Sequence, residues 1–328
     1  MTGSDQADLR HEGRISHGRA PLVSIVVPTY NSARFLMSTI DSVIAQTFQD
    51  WELVLADDGS SDTTVQMSQQ LAAGNPKIRA VKGTHGGPAV ARNEGLRHTD
   101  SRSEFVIFLD SDDRWEVKAL ETLVQALSDN PGCIAAHGLA RATDLQGKQY
   151  EADDLADSMR RRCAVTANGL TDVPVSEPTT FSMMLVRNWP VTPGTCLIRR
   201  SVLDKVGVYD PKTTHAEDWD LNIRLARAGN LALVDRVVLD WRRHPNSLLS
   251  TAQRARWAHL TVRRRTVESV LNSPEQRRAA LNIMRAEWQS CWSTTRAAIS
   301  DGNLRRVLSE SRYFIVSSAN YWWLRLRY

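Results

Sequence analysis

The sequence lacks long apolar segments and has little cysteine, and each shortage excludes a class of protein. None of its windows reaches the ~18–20 uninterrupted apolar residues of a membrane-spanning helix, and residues 1–20 contain no apolar core of signal-peptide length. The four cysteines are scattered without a CxxC pair, which argues against a zinc site or a disulfide framework. We therefore expect a cytoplasmic protein, and leave peripheral attachment to the inner face of the membrane open.

The last part of the chain, residues 251–328, contains no lysine, and its positive charge comes from arginine. Residues 251–328 contain fourteen arginines against five acidic residues, a balance of +9, whereas the whole chain carries +4. Residues 1–250 therefore carry −5, and the two parts are expected to meet different partners. Globally the chain is 42% apolar and 24% charged, which is ordinary for a folded protein and excludes global disorder.

Apolar runs alternate with helical patterns from residue 22 to about residue 140. The runs 22–27, 51–56, 78–82, 105–109 and 133–139 have the composition of buried strands. Apolar residues recur at helical spacing between them, and Pro88 suits the first turn of a helix. This alternation predicts an α/β fold with a mostly parallel sheet flanked by helices.

Carboxylates follow two of these predicted strands directly. Asp57 and Asp58 come after the second strand, and Asp110, Asp112 and Asp113 come after the fourth. Carboxylates this close repel one another unless a cation or hydrogen-bond donors compensate them. They indicate a divalent-metal site for a phosphorylated ligand at the carboxyl edge of the sheet. The alternative is a polar turn followed by an acidic helix N-terminus, but two strands delivering acids to one edge favour the site.

Regular patterning weakens between residues 141 and 188, which we predict to be a long excursion over the active-site edge that offers substrate contacts. A strand at 195–198 and a short helix follow. Glu217 and Asp218 then open a helix that ends at Gly229. Acids in this position also have a purely structural explanation, since they interact favourably with the helix dipole. Strands are predicted at 231–234 and 237–241.

Five short motifs, taken in order, resemble the family 2 glycosyltransferases. They are VSIVVPTYN (residues 23–31), DDGS (57–60), ARNEG (91–95), LDSDD (109–113) and EDWD (217–220). Each motif is weak alone, and the five in register are specific. The resemblance covers about residues 21–250 and implies the GT-A fold, inversion at the sugar carbon, and a Mg²⁺ or Mn²⁺ cofactor.

The resemblance also implies roles for individual residues. Asp218 would be the general base, with Glu217 as the adjacent alternative, and Trp219 would line the acceptor pocket. Asp112 would bind the metal ion, Asp113 would be a second ligand or a support, and His244 would be either a metal or diphosphate contact or a structural residue. Arg92 would meet the nucleotide or its phosphates. The implied nucleotide-sugar site comprises Pro28, Thr29, Tyr30, Asp57, Asp58, Arg92, Asp110 and Ser111.

The expected organisation has three parts. Residues 1–20 form a disordered tail. Residues 21–250 form the GT-A catalytic domain, with a nucleotide-sugar-binding half (21–140) and an acceptor-binding half (141–250). Residues 251–328 form a basic, tryptophan-containing helical extension with helices at about 252–271, 274–298 and 304–324. This extension either covers the catalytic domain or contacts anionic lipid near a lipid-linked acceptor; no nucleic-acid-binding signature accompanies its arginines.

The expected reaction is transfer of a sugar from a nucleotide-diphosphate sugar to the hydroxyl group of a glycan, glycolipid or other acceptor. UDP-sugar is the first choice of donor. The product would belong to a cell-surface polysaccharide, glycolipid or other glycoconjugate. Two alternatives are weaker. A sugar-phosphate nucleotidyltransferase would carry a glycine-rich phosphate loop after the first strand, which Pro28–Asn31 is not. The retained acids argue against a catalytically silent GT-A-like binding or scaffold protein.

Overall fold

An eight-stranded mixed sheet carries the fold. The computed structural model describes residues 20–83, 85–150, 155–166, 168–213, 215–244, 252–301 and 317–326. The sheet order is β3-β2-β1-β4-β9-β6-β10-β5, with β7 and β8 in a separate hairpin. The strands are β1 Val23–Thr29, β2 Trp51–Asp57, β3 Ile78–Lys82, β4 Phe105–Phe108, β5 Arg114–Trp115, β6 Ala135–Thr143, β7 Arg162–Thr166, β8 Gly169–Val173, β9 Cys196–Arg199 and β10 Leu231–Arg242.

Helices cover both faces of this sheet and extend beyond it. They are α1 Leu36–Ile44, α2 Thr64–Gly74, α3 Pro88–Arg97, α4 Ala119–Asp129, α5 Leu155–Arg160, α6 Phe181–Val186, α7 Arg200–Val206, α8 Glu217–Ala228, α9 Ala252–Glu268 and α10 Pro274–Ser300. Residues 317–326 are also helical. Residues 1–19 of the expected tail and residues 304–316 of the third predicted C-terminal helix lie outside the described residues.

The first four strands pair in parallel, as β6 and β10 also do in the other half of the sheet. β1 pairs in parallel with β2 on one side and β4 on the other, and β2 pairs in parallel with β3. Every residue of β1, β2 and β4 is buried, which is expected of strands covered on both faces. The carboxyl ends of β1, β2 and β4 therefore meet at one edge, and the prediction of an α/β fold is confirmed.

The second half of the sheet departs from the predicted pattern. β9 runs antiparallel to both β4 and β6, and the two-residue β5 runs antiparallel to β10. β10 is one strand where two were predicted, because the polar Asp235 and Arg236 occupy a region of shifted register rather than a turn. They are exposed there, which explains why their polarity resembled a loop signal.

The stretch 141–188 was predicted as an irregular excursion, and that prediction was too simple. It contains the end of β6, α5, the β7–β8 hairpin and α6. Met183, Met184 and Leu185 of α6 are fully buried in the core. These elements are only five or six residues long, shorter than the windows in which periodicity can be recognised.

The C-terminal helices α9 and α10 pack against the elements that precede them in the chain. The Arg263 guanidinium of α9 donates to the carbonyl of Val186 at 3.0 Å and pairs with Glu287 of α10 at 2.6 Å. Arg265 pairs with Asp210 at 2.9 Å. No helix within the described residues has both the length and the apolar composition needed to cross a bilayer.

Candidate active site

The loops after β1 and β2 form one wall of the site. Asp57, 4% exposed, accepts hydrogen bonds from the backbone N–H groups of Gly59 (3.0 Å) and Ser60 (2.9 Å). Asn31 accepts a bond from the Ser61 N–H at 2.9 Å, which ties the two loops together. Asp57 therefore shapes the turn that follows β2, a role consistent with the turn preference of Asp.

Asp58 holds a third loop against this wall. Its two carboxylate oxygens accept from the backbone N–H groups of Gly86 and Gly87, both at 2.8 Å. His85 precedes these two glycines in the same loop, and its ring lies 4.8 Å from the ring of Tyr30. Tyr30 is half-exposed, so these two rings present an accessible aromatic surface beside Asp58. Pro28 and Thr29, by contrast, are buried at the end of β1.

Asp110 and Ser111 follow β4 at the centre of the edge. The Asp110 side chain is 28% exposed, and Ser111 contacts the Ser32 hydroxyl at 2.7 Å. The Ser111 carbonyl accepts from Thr39 of α1 at 2.8 Å. The acidic turn is thus fixed between β1 and α1 while Asp110 keeps access to the edge.

Asp112 lies against His244, although 131 residues separate them in sequence. Asp112 Oδ2 and His244 Nε2 are 2.9 Å apart, and the imidazole stacks on Phe35 at 4.7 Å. Burial and the neighbouring Asp110 raise the pKa of Asp112, which His244 partly opposes. Within the described ranges, no three His, Cys, Asp or Glu side chains are grouped to hold a metal ion.

Asp113, next in sequence, is bonded to the backbone of β10. It is 1% exposed and accepts from the Arg242 backbone N–H at 3.1 Å. Burial, followed by repulsion from Asp112 and Asp110, raises the pKa of Asp113 well above its usual range. The buried Arg242 side chain also bonds the carbonyl of Asp112 and the hydroxyls of Ser38 and Thr39. Asp113 and Arg242 therefore fasten the acidic turn to β10 and α1.

Arg92 joins the acidic turn to α8. Its terminal nitrogens donate to Asp110 Oδ1 at 2.6 Å and to Glu217 Oε1 at 3.0 Å. Its guanidinium also lies 5.0 Å from the Tyr209 ring centre. Burial opposes the charge, but Asp110, Tyr209 and Glu217 raise the pKa of Arg92 overall. With a side chain only 5% exposed, Arg92 is better suited to connect these carboxylates than to meet the nucleotide or its phosphates.

Asp218 stands next to Glu217 in the first turn of α8. Burial, followed by repulsion from Glu217, raises the pKa of Asp218 to about 7, and Arg92 opposes the shift. Asp218 Oδ2 accepts from the Asn188 side chain at 2.9 Å. A carboxyl group with a pKa near neutrality is suited to accept a proton at physiological pH.

Trp219 lies beneath the site rather than on its surface. It is 2% exposed, and its Nε1 donates to the carbonyl of Met184 at 2.7 Å. Arg263 and His259 of α9 contact the ring. This placement favours a packing role over direct contact with an acceptor.

Residues 24–207 match the family model described as glycosyl transferase family 2. The chain belongs to glycosyl transferase family 2. Hyaluronan synthase from Pasteurella multocida is 25% identical over 219 residues, which cover 67% of this chain and 20% of the synthase. The chain thus spans about a fifth of the length of that curated relative.

Two solved structures show the fold of this family 2 chain. S. aureus TarS in complex with UDP-GlcNAc superimposes with a TM-score of 0.64 at 20% identity, covering 91% of this chain and 80% of TarS. The mannosyltransferase PcManGT from Pyrobaculum calidifontis, in complex with GDP-Man and Mn²⁺, has a TM-score of 0.63 at 18% identity, covering 93% and 88%. The predicted GT-A fold is confirmed.

Several residues at this site were not singled out from the sequence. Asn188 contacts Asp218, Arg242 fastens the acidic turn, and His85 stands against Tyr30. Asn188 and Arg242 lie far in sequence from their partners, and neither belongs to the five motifs that carry the resemblance. His85 follows a predicted strand in a glycine-rich loop, and this was the one signal that could have drawn attention to it.

Proposed function

We propose that this chain is an inverting, metal-dependent glycosyltransferase that moves a sugar from a nucleotide-diphosphate donor to a hydroxyl group of a cell-surface polysaccharide or related glycoconjugate. The observation that carries the proposal is the Arg92 bridge. Arg92 joins Asp110, on the donor side, to Glu217, the neighbour of Asp218, at distances of 2.6 and 3.0 Å. The carboxylates on the nucleotide-sugar side and Asp218, whose pKa is near neutrality, therefore lie at the same edge of the sheet.

The donor would lie along the loops after β1, β2 and β4. Tyr30 offers a stacking face for the base, Asp58 an acceptor for its N–H groups, and Asp110 an acceptor for the ribose hydroxyls. UDP-sugar is our first choice of donor. The support is the family itself together with the UDP-GlcNAc complex of TarS, while the GDP-Man complex of PcManGT keeps GDP-sugars as the alternative.

Asp218 would accept the proton of the acceptor hydroxyl. Inversion requires that hydroxyl to attack the face opposite the leaving diphosphate, losing its proton as the oxocarbenium-like transition state forms. Asp218 belongs to a different element from Asp110 and Asp112, so it can serve that opposite face. Glu217 is the weaker candidate, because one of its oxygens already pairs with Arg92.

A divalent ion, Mg²⁺ or Mn²⁺, fits the residues present. Asp112 and His244 supply a carboxylate and an imidazole. Burial, followed by repulsion from Asp110, raises the pKa of Asp112, and a cation would offset that repulsion. Mg²⁺ commonly takes one or two protein carboxylates and completes its shell with substrate phosphates and water. When bound, the ion neutralises charge on the leaving diphosphate. We assign the contact to Asp112 and His244, with Asp113 as support.

The decisive experiment measures transfer by the full chain. Thermal-shift screening of UDP, GDP and dTDP and their sugars, with Mn²⁺, identifies the donor; turnover is then compared for the wild type, Asp218→Asn and Asp112→Ala. Both variants are expected to lose transfer at least a hundredfold, with Asp129→Asn as an exposed control. Calorimetry should also show weaker Mn²⁺ binding by Asp112→Ala.

Each alternative has its own signature in that experiment. Wild-type turnover by Asp218→Asn would remove Asp218 as the base. Pyrophosphate release from a nucleoside triphosphate and a sugar phosphate would indicate a nucleotidyltransferase. Absence of nucleotide-diphosphate binding with either metal ion would indicate a catalytically silent binding protein.

We also propose that the C-terminal extension contacts an anionic membrane surface. Trp322, Trp323 and Leu326 are 45%, 42% and 86% exposed in a segment that carries fourteen arginines. Interfacial tryptophan combined with arginine suits anionic headgroups. The chain should sediment with phosphatidylglycerol vesicles and not with phosphatidylcholine vesicles, and Trp322→Ser/Trp323→Ser should weaken this binding whereas Tyr150→Ser, another exposed aromatic, should not. Equal binding by the tryptophan variant would exclude this surface.

A further inference from the structure

Two asparagines outside the family motifs form a chain of hydrogen bonds that ends on Asp218. Asn222, buried in α8, donates through Nδ2 to Asn188 Oδ1 at 2.8 Å. Asn188 in turn donates through its own Nδ2 to Asp218 Oδ2 at 2.9 Å. Asn222 lies one helical turn after Asp218, so α8 carries both ends of the chain.

The first of these bonds fixes the direction of the second. An asparagine side chain has one accepting and one donating end. Because Asn222 donates to the oxygen of Asn188, the nitrogen of Asn188 must point at Asp218. If the Asn188 amide were flipped, its nitrogen would face the donating nitrogen of Asn222 and its oxygen would face the accepting Asp218 carboxylate. Neither pair could form a hydrogen bond. Asn188 is therefore held as a donor toward the carboxylate.

The backbone of Asn188 is anchored on both sides. Arg187 N–H caps α6 by donating to the Met183 carbonyl at 3.3 Å, and Trp189 is 2% exposed. Trp189 Nε1 donates to the same carbonyl at 3.0 Å. The Trp219 bond to Met184 joins α8 to the same helix. Asn188 thus belongs to a rigid connection between α6 and α8.

Several charged or titratable groups surround Asp218. Glu217 on its own helix and Asp110 after β4 oppose its ionised form, whereas Arg92 of α3 favours it. Tyr209, between α7 and α8, also interacts with Asp218. On the α9 side, Arg263 and His259 contact Trp219. Asn188 adds an uncharged donor to this surrounding, and a hydrogen bond to the charged form favours that form.

We propose that Asn188, oriented by Asn222, is a positioning residue that holds the Asp218 carboxylate in one orientation and stabilises its ionised form. The inference rests on the proposed role of Asp218 as general base. The Asn188 side chain is a neutral amide, and an amide nitrogen is not protonated near neutral pH. Asn188 can therefore donate a hydrogen bond to Asp218 without competing with it for the proton of the acceptor hydroxyl.

The test is the pH profile of transfer by the full chain. For Asn188→Ala we expect kcat at pH 7 to fall about tenfold and the acidic limb to move up by about one pH unit, the size of one hydrogen bond to a charged group. Part of the lost activity should return at pH 9, and nucleotide-diphosphate affinity should not change.

Asn188→Asp, which keeps the shape of the side chain, should shift the acidic limb of the pH profile further because it adds a like charge. Asn222→Ala should shift it in the same direction by less.

A matched control separates positioning from general destabilisation. Asn272 also makes two side-chain hydrogen bonds, to Arg227 and to the Thr266 carbonyl, away from the site. Asn272→Ala should lower stability and leave the pH profile unchanged. If Asp218→Asn is inactive while the Asn188 and Asn222 variants all keep the wild-type profile, the positioning role is wrong. If Asp218→Asn is active, the proposed base has failed instead.

The pH dependence of unfolding provides a second readout if Asn188→Ala does not fold. In the isosteric Asn188→Asp variant, the pH range over which Asp218 loses its proton should move upward in thermal unfolding curves. The same substitution in an Asp218→Asn background should abolish that movement. An identical pH dependence in both backgrounds would overturn the inference.

Discussion

At the scale of single residues, the site is built on compensated carboxylates. Asp57 and Asp58 accept backbone N–H groups, Asp113 faces Arg242, and Glu217 shares Arg92 with Asp110. Each of these arrangements fixes the position of a carboxylate at the site. Asp218 differs in two ways: besides the Trp219 backbone N–H it accepts from the side-chain amide of Asn188, and its pKa is raised to about 7. This difference makes it the group whose ionisation is most easily tested.

The protonation of Asp218 should be visible in the stability of the protein. Its folded pKa of about 7 lies above the ordinary value of 3.8, so folding favours the protonated form. The resulting stabilisation is fully present below about pH 4 and is lost as the pH rises to about 7. Asp218→Asn, which stays uncharged, should therefore gain stability over the wild type between pH 5 and pH 8. The gain grows by about 1.4 kcal/mol for each pH unit between the two pKa values, so at pH 8 we expect up to a few kcal/mol, with a Tm rise of about 2–4 °C for each kcal/mol.

Thermal unfolding monitored by circular dichroism at pH 5, 6, 7 and 8 would check this. Asp129→Asn, in an exposed position, should show no such growth with pH. A Tm difference between Asp218→Asn and wild type that stays constant, or shrinks toward pH 8, would show that the folded pKa is not raised.

At the scale of elements, α3 illustrates why a motif glycine is required. A Cβ on Gly95 would lie 2.5 Å from Val26 Cγ1 of β1 and 3.0 Å from the Ala56 Cβ of β2. The helix that carries Arg92 therefore touches the sheet at this point. Because α3 packs this closely on the sheet, the Arg92 guanidinium reaches the sheet edge, where it donates hydrogen bonds to Asp110 and Glu217.

Gly95→Ala should destabilise the protein by about 1–3 kcal/mol through overpacking, despite the better helix propensity of alanine. Val26→Ala removes the nearer contact and should recover part of the loss when the two changes are combined. Gly74→Ala is the matched control, because a Cβ on that helical glycine meets nothing within 4 Å. Urea denaturation of the four variants gives the coupling energy; additive effects of the Gly95 and Val26 changes would contradict the contact.

The elements that could be predicted from sequence are those with a strong local signal. The strands at 51–56 and 105–109 and the acids after them could be predicted from the composition of these segments, and β3 matches its predicted range of 78–82. The antiparallel direction of β9 could not be predicted, because pairing direction leaves no trace in a four-residue apolar run. The resemblance associated both Asp112 and His244 with the metal ion, although their direct contact needed the structure. Asn188 could not be predicted as the partner of Asp218, because it reaches Asp218 only through the tertiary fold.

At the scale of the whole molecule, the extension shares a hydrophobic core with the catalytic part. Val262, Met284 and Leu324, each no more than 1% exposed, belong to the same buried cluster as Val26 and Phe108 of the sheet. Removing the helices would expose apolar surface on both sides. We therefore propose that residues 21–250 and the described part of the extension form one cooperative unit.

This predicts a single unfolding transition for the full chain. Five of the ten tryptophans lie in residues 251–328, so their fluorescence reports substantially on the extension, whereas far-ultraviolet circular dichroism reports on all elements. The two signals should change together in urea, and the calorimetric and van't Hoff enthalpies should agree. Met284→Ala should lower the midpoint of both signals alike, by about 2–5 kcal/mol of stability. Separate midpoints, or an effect of Met284→Ala on fluorescence alone, would mean that the extension folds as a unit of its own.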